Sequence, residues 1–151
     1  MDEIATTART AERVGELLES DTRTLETRGQ DAVLSNGSLE RVYLFCLSSR
    51  QILTTHFGDI ESGLILMVAD WAGIGGHPTD ISTVSEITGI SRPTIRRKLE
   101  KLEARNLVVV TRRPNRTLIL SNPDKQDEIR ERMSHIAKAL LGTARRLEAD
   151  A

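Results

Sequence analysis

Three features of the sequence predict a mainly α-helical fold carrying one small two-stranded β-hairpin. Apolar residues recur at helical spacing through most of the chain. A Gly-Ile-Ser step separates two short helical segments. The apolar period then drops from 3.6 to 2 over "LVVVTRR" and "RTLILS". The 151 residues suffice for one compact domain with an extension, and for a true core. With 28% charged and 3% aromatic residues, that core must come mainly from Ile, Leu and Val.

In chain order, the first expected element is a helix over residues 7–27, with Ala11, Val14, Leu18 and Leu25 on one side. Asn36-Gly37 marks the turn after it. A second helix starts at Ser38 and ends near Gly58, with Leu39, Val42, Phe45, Ser49, Ile52, Leu53 and His56 along one face. Asp59 can cap a third, whose face Ile60, Leu64, Met67, Val68 and Trp71 follows the spacing of a helix packed on a core. "GIGGHPTD" ends it.

Two short helices follow. Thr83 and Glu86 have capping-box spacing, Val84 and Ile87 face inward, Gly89 supplies the left-handed helix end, and Ile90 plugs the turn. Ser91 is a natural N-cap for the next helix, Pro93 is tolerated in its first turn, and Ile95, Leu99 and Leu102 make its buried stripe. Asn106 closes it, because asparagine accepts positive φ. Pro114-Asn115 joins the two strands of the hairpin. Asn122 caps and Pro123 opens a last long helix, with Ile129, Met133, Ile136, Leu140, Ala144 and Leu147 on one side. Asp124, Asp127 and Glu128 at its start and Arg145 and Arg146 near its end suit the helix dipole.

Charge is unevenly distributed along the chain. Residues 1–40 carry four basic and nine acidic side chains (−5), residues 41–91 two and five (−3), and residues 117–151 six and six (0). Residues 92–116 carry nine and two (+7), so one short region is a cationic island in a chain whose net charge is −1. A solvated helix face would carry balancing glutamates at i±4, and only Glu100 and Glu103 are available.

Two helices around a glycine turn, followed by a hairpin, make a winged helix-turn-helix, whose second helix enters a DNA major groove. The stripe Ile95, Leu99, Leu102 would hold that helix to the domain, leaving Arg92, Thr94, Arg96, Arg97 and Lys98 outward. Arginine reads guanine through paired donors, and the hydroxyls of Ser91 and Thr94 suit phosphates or base edges. Lys101 and Arg105 lie further along, at the DNA backbone. The hairpin continues the island with Arg112, Arg113, Asn115 and Arg116, set to reach phosphates or the adjacent minor groove. The apolar stripes of the flanking helices lie on opposite sides of this small module, which cannot cover both, so a second copy of the chain is expected to cover them.

The segment "STVSEITGISRPTIRRKLEKLEARNLVVV" resembles the recognition core of MarR-like transcriptional regulators, with its Gly-Ile-Ser turn, Thr-Ile pair, Leu-Glu pair and Leu-Val strand entry. With two helices before and a long one after, the resemblance covers about residues 38–148. It implies a winged helix-turn-helix flanked by dimerisation helices, and a homodimer that reads an inverted repeat in double-stranded DNA. It also implies occupancy controlled by a small-molecule effector. The implied organisation is an N-terminal extension of one helix plus linker (1–37), scaffold and dimerisation helices (38–75), the DNA-binding region (76–122) and a C-terminal dimerisation helix (123–151). Asn106 stands where the family usually has glycine, and the wing is shorter than usual and lacks the Asp-x-Arg of the family's tip.

Other features are read as structural. Cys46 beside the apolar face is expected to be inert packing, and one cysteine forms no internal disulfide. His56, His77 and His135 have no metal-ligand spacing, so no metal or cofactor is expected. "GIGG" lacks the Lys-Ser/Thr ending of a phosphate loop and reads as a connector. Trp71 is expected in the core, His77 in a loop, and Asp59 and Glu61 at a helix cap. No nucleophile-base-acid set is present, so an enzyme is not expected. The longest apolar runs are too short to span a bilayer and the N-terminus has no apolar h-region, which predicts a cytoplasmic protein. The competing reading is a winged-helix module that docks on another protein without specific DNA readout.

Overall fold

A helix over Asn36–Phe57 (α1) and a helix over Ile60–Ile74 (α2) are separated only by Gly58 and Asp59, and meet at 77°. This computed structural model describes residues 36–149, together with Glu12, Arg13, Glu16 and Glu19, which are helical. The expected N-terminal stripe of Ala11, Val14, Leu18 and Leu25 lies outside the described residues, as does the Leu147 side chain. The sharp corner has local causes. Gly58 takes φ +91°, a region that glycine enters without steric cost, and Asp59 restarts the helix as N-cap by accepting from the Ser62 N–H at 2.8 Å.

After α2 the chain forms β1 (Thr79–Asp80), α3 (Ile81–Thr88), α4 (Arg92–Ala104), β2 (Val108–Arg113) and β3 (Arg116–Ser121). A single 3-10 turn over Pro123–Lys125 then leads into α5 (Gln126–Ala149). The sheet has three antiparallel strands in the order β1-β3-β2, where the sequence suggested two. The extra strand is two residues long, too short to show any period, and pairs Thr79 with Ile119 and Asp80 with Leu118. It ties the start of the helix-turn-helix to the hairpin.

The core gathers Phe57, Ile65, Leu66, Ala69, Val84, Ile95, Leu99, Leu102, Ile119, Ile129 and Ile136. Here α2 departs from expectation. Of the face Ile60, Leu64, Met67, Val68 and Trp71, only Val68 is buried, and Trp71 is 37% exposed. The buried positions are Ser62, Gly63, Ile65, Leu66, Val68, Ala69 and Asp70. This helix is apolar on nearly every side, so spacing alone could not choose its inner face. Small residues decide it, since Gly63 lets α1 approach so closely that a Cβ there would sit 2.9 Å from Phe57 Cδ2. Asp70 is buried and accepts from Gln126 Nε2 (2.7 Å) and Ser121 Oγ (3.2 Å), joining α2 to the end of β3 and the start of α5.

Caps also shift. The N-cap of α3 is Asp80, which accepts from the Thr83 N–H at 2.8 Å, so Thr83 sits inside the helix rather than at its cap. Gly89 ends α3 at φ +72° and Asn106 follows α4 at φ +56°, both as the sequence indicates. Cys46 is exposed rather than packed. Among the described residues no single helix is long and apolar enough to cross a membrane.

Candidate nucleic-acid interface

Helix α4 is fixed by a dry underside. Ile95, Leu99 and Leu102 are each at most 2% exposed and pack into the core beneath it. At about 100° per residue these three positions define one line, and position 97 points almost directly away from it. Arg92, Arg96, Arg97 and Lys101 are exposed, and none makes an ion pair among the described residues. Ser91 and Thr94 sit at the start of α4, where the Ser91 hydroxyl donates to Thr94 Oγ1 at 2.9 Å and makes no cap bond to the backbone. The residue caps α4 through its main chain alone, accepting from the Ile95 N–H at 3.0 Å.

Lys98 departs from the outward set. Its ammonium lies 3.0 Å from Asp59 Oδ1 and 3.3 Å from Glu61 Oε2, and its side chain is only 12% exposed. Position 98 is about 60° from the middle of the buried stripe, close enough for a long side chain to fold toward the first turn of α2. Hydrogen bonding to Asp59 holds the Lys98 pKa above its ordinary value despite burial. Burial pushes Asp59 up, but the Ser62 N–H and the Lys98 ammonium outweigh it and leave the carboxyl below its ordinary range.

The wing divides in the same way. Arg113 and Asn115 are exposed around the Pro114-Asn115 turn, whereas Arg112 is engaged by Glu103 of α4 in a two-pronged pair, at 2.6 and 3.2 Å. That pair raises the Arg112 pKa, with Glu103 as its main cause, and draws β2 against α4. Arg116 is half-buried, its Nε 3.5 Å from Asp80 Oδ2, an ionic contact too long for a good hydrogen bond. The expectation that Glu100 and Glu103 leave the island unbalanced is thus corrected: Lys98, Arg112 and Arg116 are met by carboxylates, and those facing Lys98 and Arg116 come from outside the island. Arg105 is exposed, but its guanidinium is engaged as well. Its Nη1 donates to the Phe57 carbonyl at 2.8 Å, and Arg132 of α5 donates to the His56 carbonyl at 2.6 Å. Sequence reasoning missed both, since a backbone acceptor leaves no trace in side-chain spacing.

Exposed and without an ion pair among the described residues are Arg92, Arg96, Arg97 and Lys101 on α4, with Arg113 and Asn115 at the wing; Arg112 and Arg105 are exposed too, but engaged. The former are fork-shaped, point-charge and amide donors, and those on α4 belong to a helix whose Ile95, Leu99 and Leu102 are buried in the core.

No family model matches the sequence, and no curated protein matches it. Solved structures do. A mutant MarR from E. coli superposes with a TM-score of 0.50 at 11% identity, over 80% of this chain and 88% of that one. The chain has a MarR-like winged-helix fold. BpsR from Bordetella bronchiseptica, described with regulation of its DNA binding by 6-hydroxynicotinic acid, is similar over 72% of this chain and 80% of that one. There the TM-score is 0.48 and the identity 19%. Within the MarR-like fold, α3 and α4 are the helix-turn-helix, β2 and β3 the wing, and α1, α2 and α5 the flanking scaffold.

Proposed function

We propose that the protein is a transcriptional regulator that binds double-stranded DNA as a homodimer and reads an inverted repeat, with α4 in the major groove. The observation that carries this reading is the set of exposed Arg92, Arg96, Arg97 and Lys101, without ion pairs among the described residues, on a helix anchored by Ile95, Leu99 and Leu102. Ser91, Thr94, Arg113 and Asn115 supplement the contact, residues 76–122 form the DNA-binding region, and residues 38–75 and 123–151 form the scaffold through which two copies pair. A twofold dimer sets its two reading helices about one DNA turn, roughly 34 Å, apart. A small effector that alters that separation would alter occupancy.

The test is selection of bound sequences from a random DNA pool, followed by gel-shift titration. Arg96→Ala and Arg97→Ala are each expected to weaken specific binding by about 1–3 kcal/mol for every base edge the arginine reads. Wild-type affinity should also fall steeply between low and physiological salt. If both variants bind like wild type, the reading surface is wrong. A shallow salt response favours a protein-docking module instead.

A further inference from the structure

The α1–α2 corner collects three cations from two other elements. Lys98 of α4 meets Asp59 and Glu61 at the start of α2. Arg105, one residue past the end of α4, donates to the last carbonyl of α1, that of Phe57. Arg132 of α5 donates to the His56 carbonyl beside it, and is itself steadied by Glu128 at 2.7 Å. The two arginines satisfy carbonyls that a helix end leaves without partners, and their charge opposes the negative end of the α1 dipole. The lysine meets an acid pair that sits at the N-terminal end of α2, the positive end of its dipole. Helix α4 is therefore held to the corner at two points more than a turn apart, Lys98 and Arg105, which together fix its rotation as well as its position. Its apolar underside alone fixes position but tolerates small rotations.

We propose that the α1–α2 corner is the bearing that sets the angle of the reading helix, with Lys98 and Arg105 as positioning residues and Arg132 coupling α5 to the same point. The proposal rests on the DNA-binding reading above. It assigns Asp59 and Glu61 a role opposite to what their charge suggests. An acid near a DNA-facing helix repels phosphate, so neutralising it would by electrostatics alone tighten binding. If these acids instead orient α4, neutralising them weakens specific binding.

The experiment uses the full chain carrying Asp59→Asn together with Glu61→Gln. Asparagine caps a helix as well as aspartate, so the double variant keeps the bond from the Ser62 N–H, requires the Ser62 hydroxyl to accept from the new amide where it donated to the carboxylate, and removes both charges facing Lys98. Two readouts are taken. Amide hydrogen exchange on free protein is expected to show α4 exchanging roughly fivefold faster while β2 and β3 hold their protection, as removal of a partly exposed ion pair implies. In gel-shift titration the selected operator is expected to bind roughly tenfold more weakly, with nonspecific DNA bound at least as tightly, and a pool with varied half-site spacers should select a broader spread of spacings. Glu61→Gln alone, which leaves Asp59 untouched, should move every readout the same way by less. Unchanged α4 exchange, or tighter operator binding, overturns the proposal. If wild type selects no DNA sequence, the DNA-binding reading falls, and the exchange measurement still decides whether the corner holds α4.

Discussion

Whether a lysine on α4 meets solvent or protein depends on its angle about the helix axis. Arg97 lies almost opposite the stripe of Ile95, Leu99 and Leu102, and is exposed; Lys98 is one residue on and folds inward to Asp59 and Glu61. The sequence shows both as members of one basic run. Their separation required the placement of α2, whose N-terminal acids lie far away in the chain. The same holds for Arg112, matched by Glu103 only because β2 packs back along α4. The titration of the inward pair has a definite sign. Asp59 titrates below its ordinary 3.8 and Lys98 above its ordinary 10.5. A lowered carboxyl contributes stability that is complete above its unfolded value and lost as pH falls through the folded one. A raised lysine contributes stability complete below its unfolded value and lost as pH rises through the folded one. The coupling from a double-mutant cycle of Asp59→Asn and Lys98→Met in urea unfolding should therefore be flat through neutral pH, fading only below 3.8 and above 10.5. Its neutral-pH size should be about 0.5–1 kcal/mol, because Asp59 remains partly solvated. A coupling that declines between about pH 5 and 8 would show that a group other than Asp59 and Lys98 controls the pair.

At the scale of elements, the most legible parts were those with a local cause. Gly89 and Asn106 declare their helix ends by conformation, and the period of 2 declares the hairpin. Two-residue β1 and the Asp80 cap were not legible, because a strand that short has no pattern and Thr83 with Glu86 offered a competing cap. The inner face of α2 was hidden for a different reason: with apolar residues nearly all round, the choice falls to the small residues that admit a neighbour. Gly63→Ala tests that account. The added methyl would meet Phe57 Cδ2 at 2.9 Å and Leu53 Cδ2 at 3.4 Å, and both side chains belong to the buried end of α1. Either Phe57 leaves its place in the core or α1 withdraws from α2, and overpacking of this kind costs about 1–3 kcal/mol. Alanine is the better helix former at an exposed site by roughly 1 kcal/mol, so a net loss in thermal or urea unfolding isolates the steric effect. A Gly63→Ala protein as stable as wild type would show that the α1–α2 contact yields freely. The corner could not then serve as a rigid bearing for α4.

For the whole molecule, the decisive question is what covers α1. Tyr43, Leu44 and Leu47 are 61%, 55% and 65% exposed, and at about 100° per residue they fall within one arc of the helix. Of the sequence-derived stripe Leu39, Val42, Phe45, Ser49, Ile52, Leu53 and His56, Leu53 is buried and Ile52 packs on the core, Leu39 and Phe45 are half-buried, and Val42 departs from it at 41% exposure; Phe57 completes the inner side. The stripe gave no warning that the other side would carry large apolar groups too, since a stripe is sought once per helix. Pairing with a second copy through this second face is the arrangement we propose for the dimer, and burial of those three side chains would contribute about 25 cal/mol per Å² of apolar surface covered. Leu47→Glu, the most exposed of the three, places a charge at the centre of that contact while leaving the internal core of each chain intact. Sedimentation is expected to show the subunit dissociation constant rising by about two orders of magnitude or more, as removal of a central interface anchor worth about 2–4 kcal/mol implies. Thermal unfolding of the α3–β3 lobe should shift little, because Leu47 contributes nothing to its core. On the proposed function, operator binding should fall with the dimer and reappear at high protein concentration, since each copy would keep its proposed DNA-facing surface and lack only its partner's half of the contact. A Leu47→Glu protein that stays dimeric at nanomolar concentration would move the interface elsewhere. One that is monomeric yet binds the full inverted repeat as tightly as wild type would separate DNA reading from dimerisation altogether.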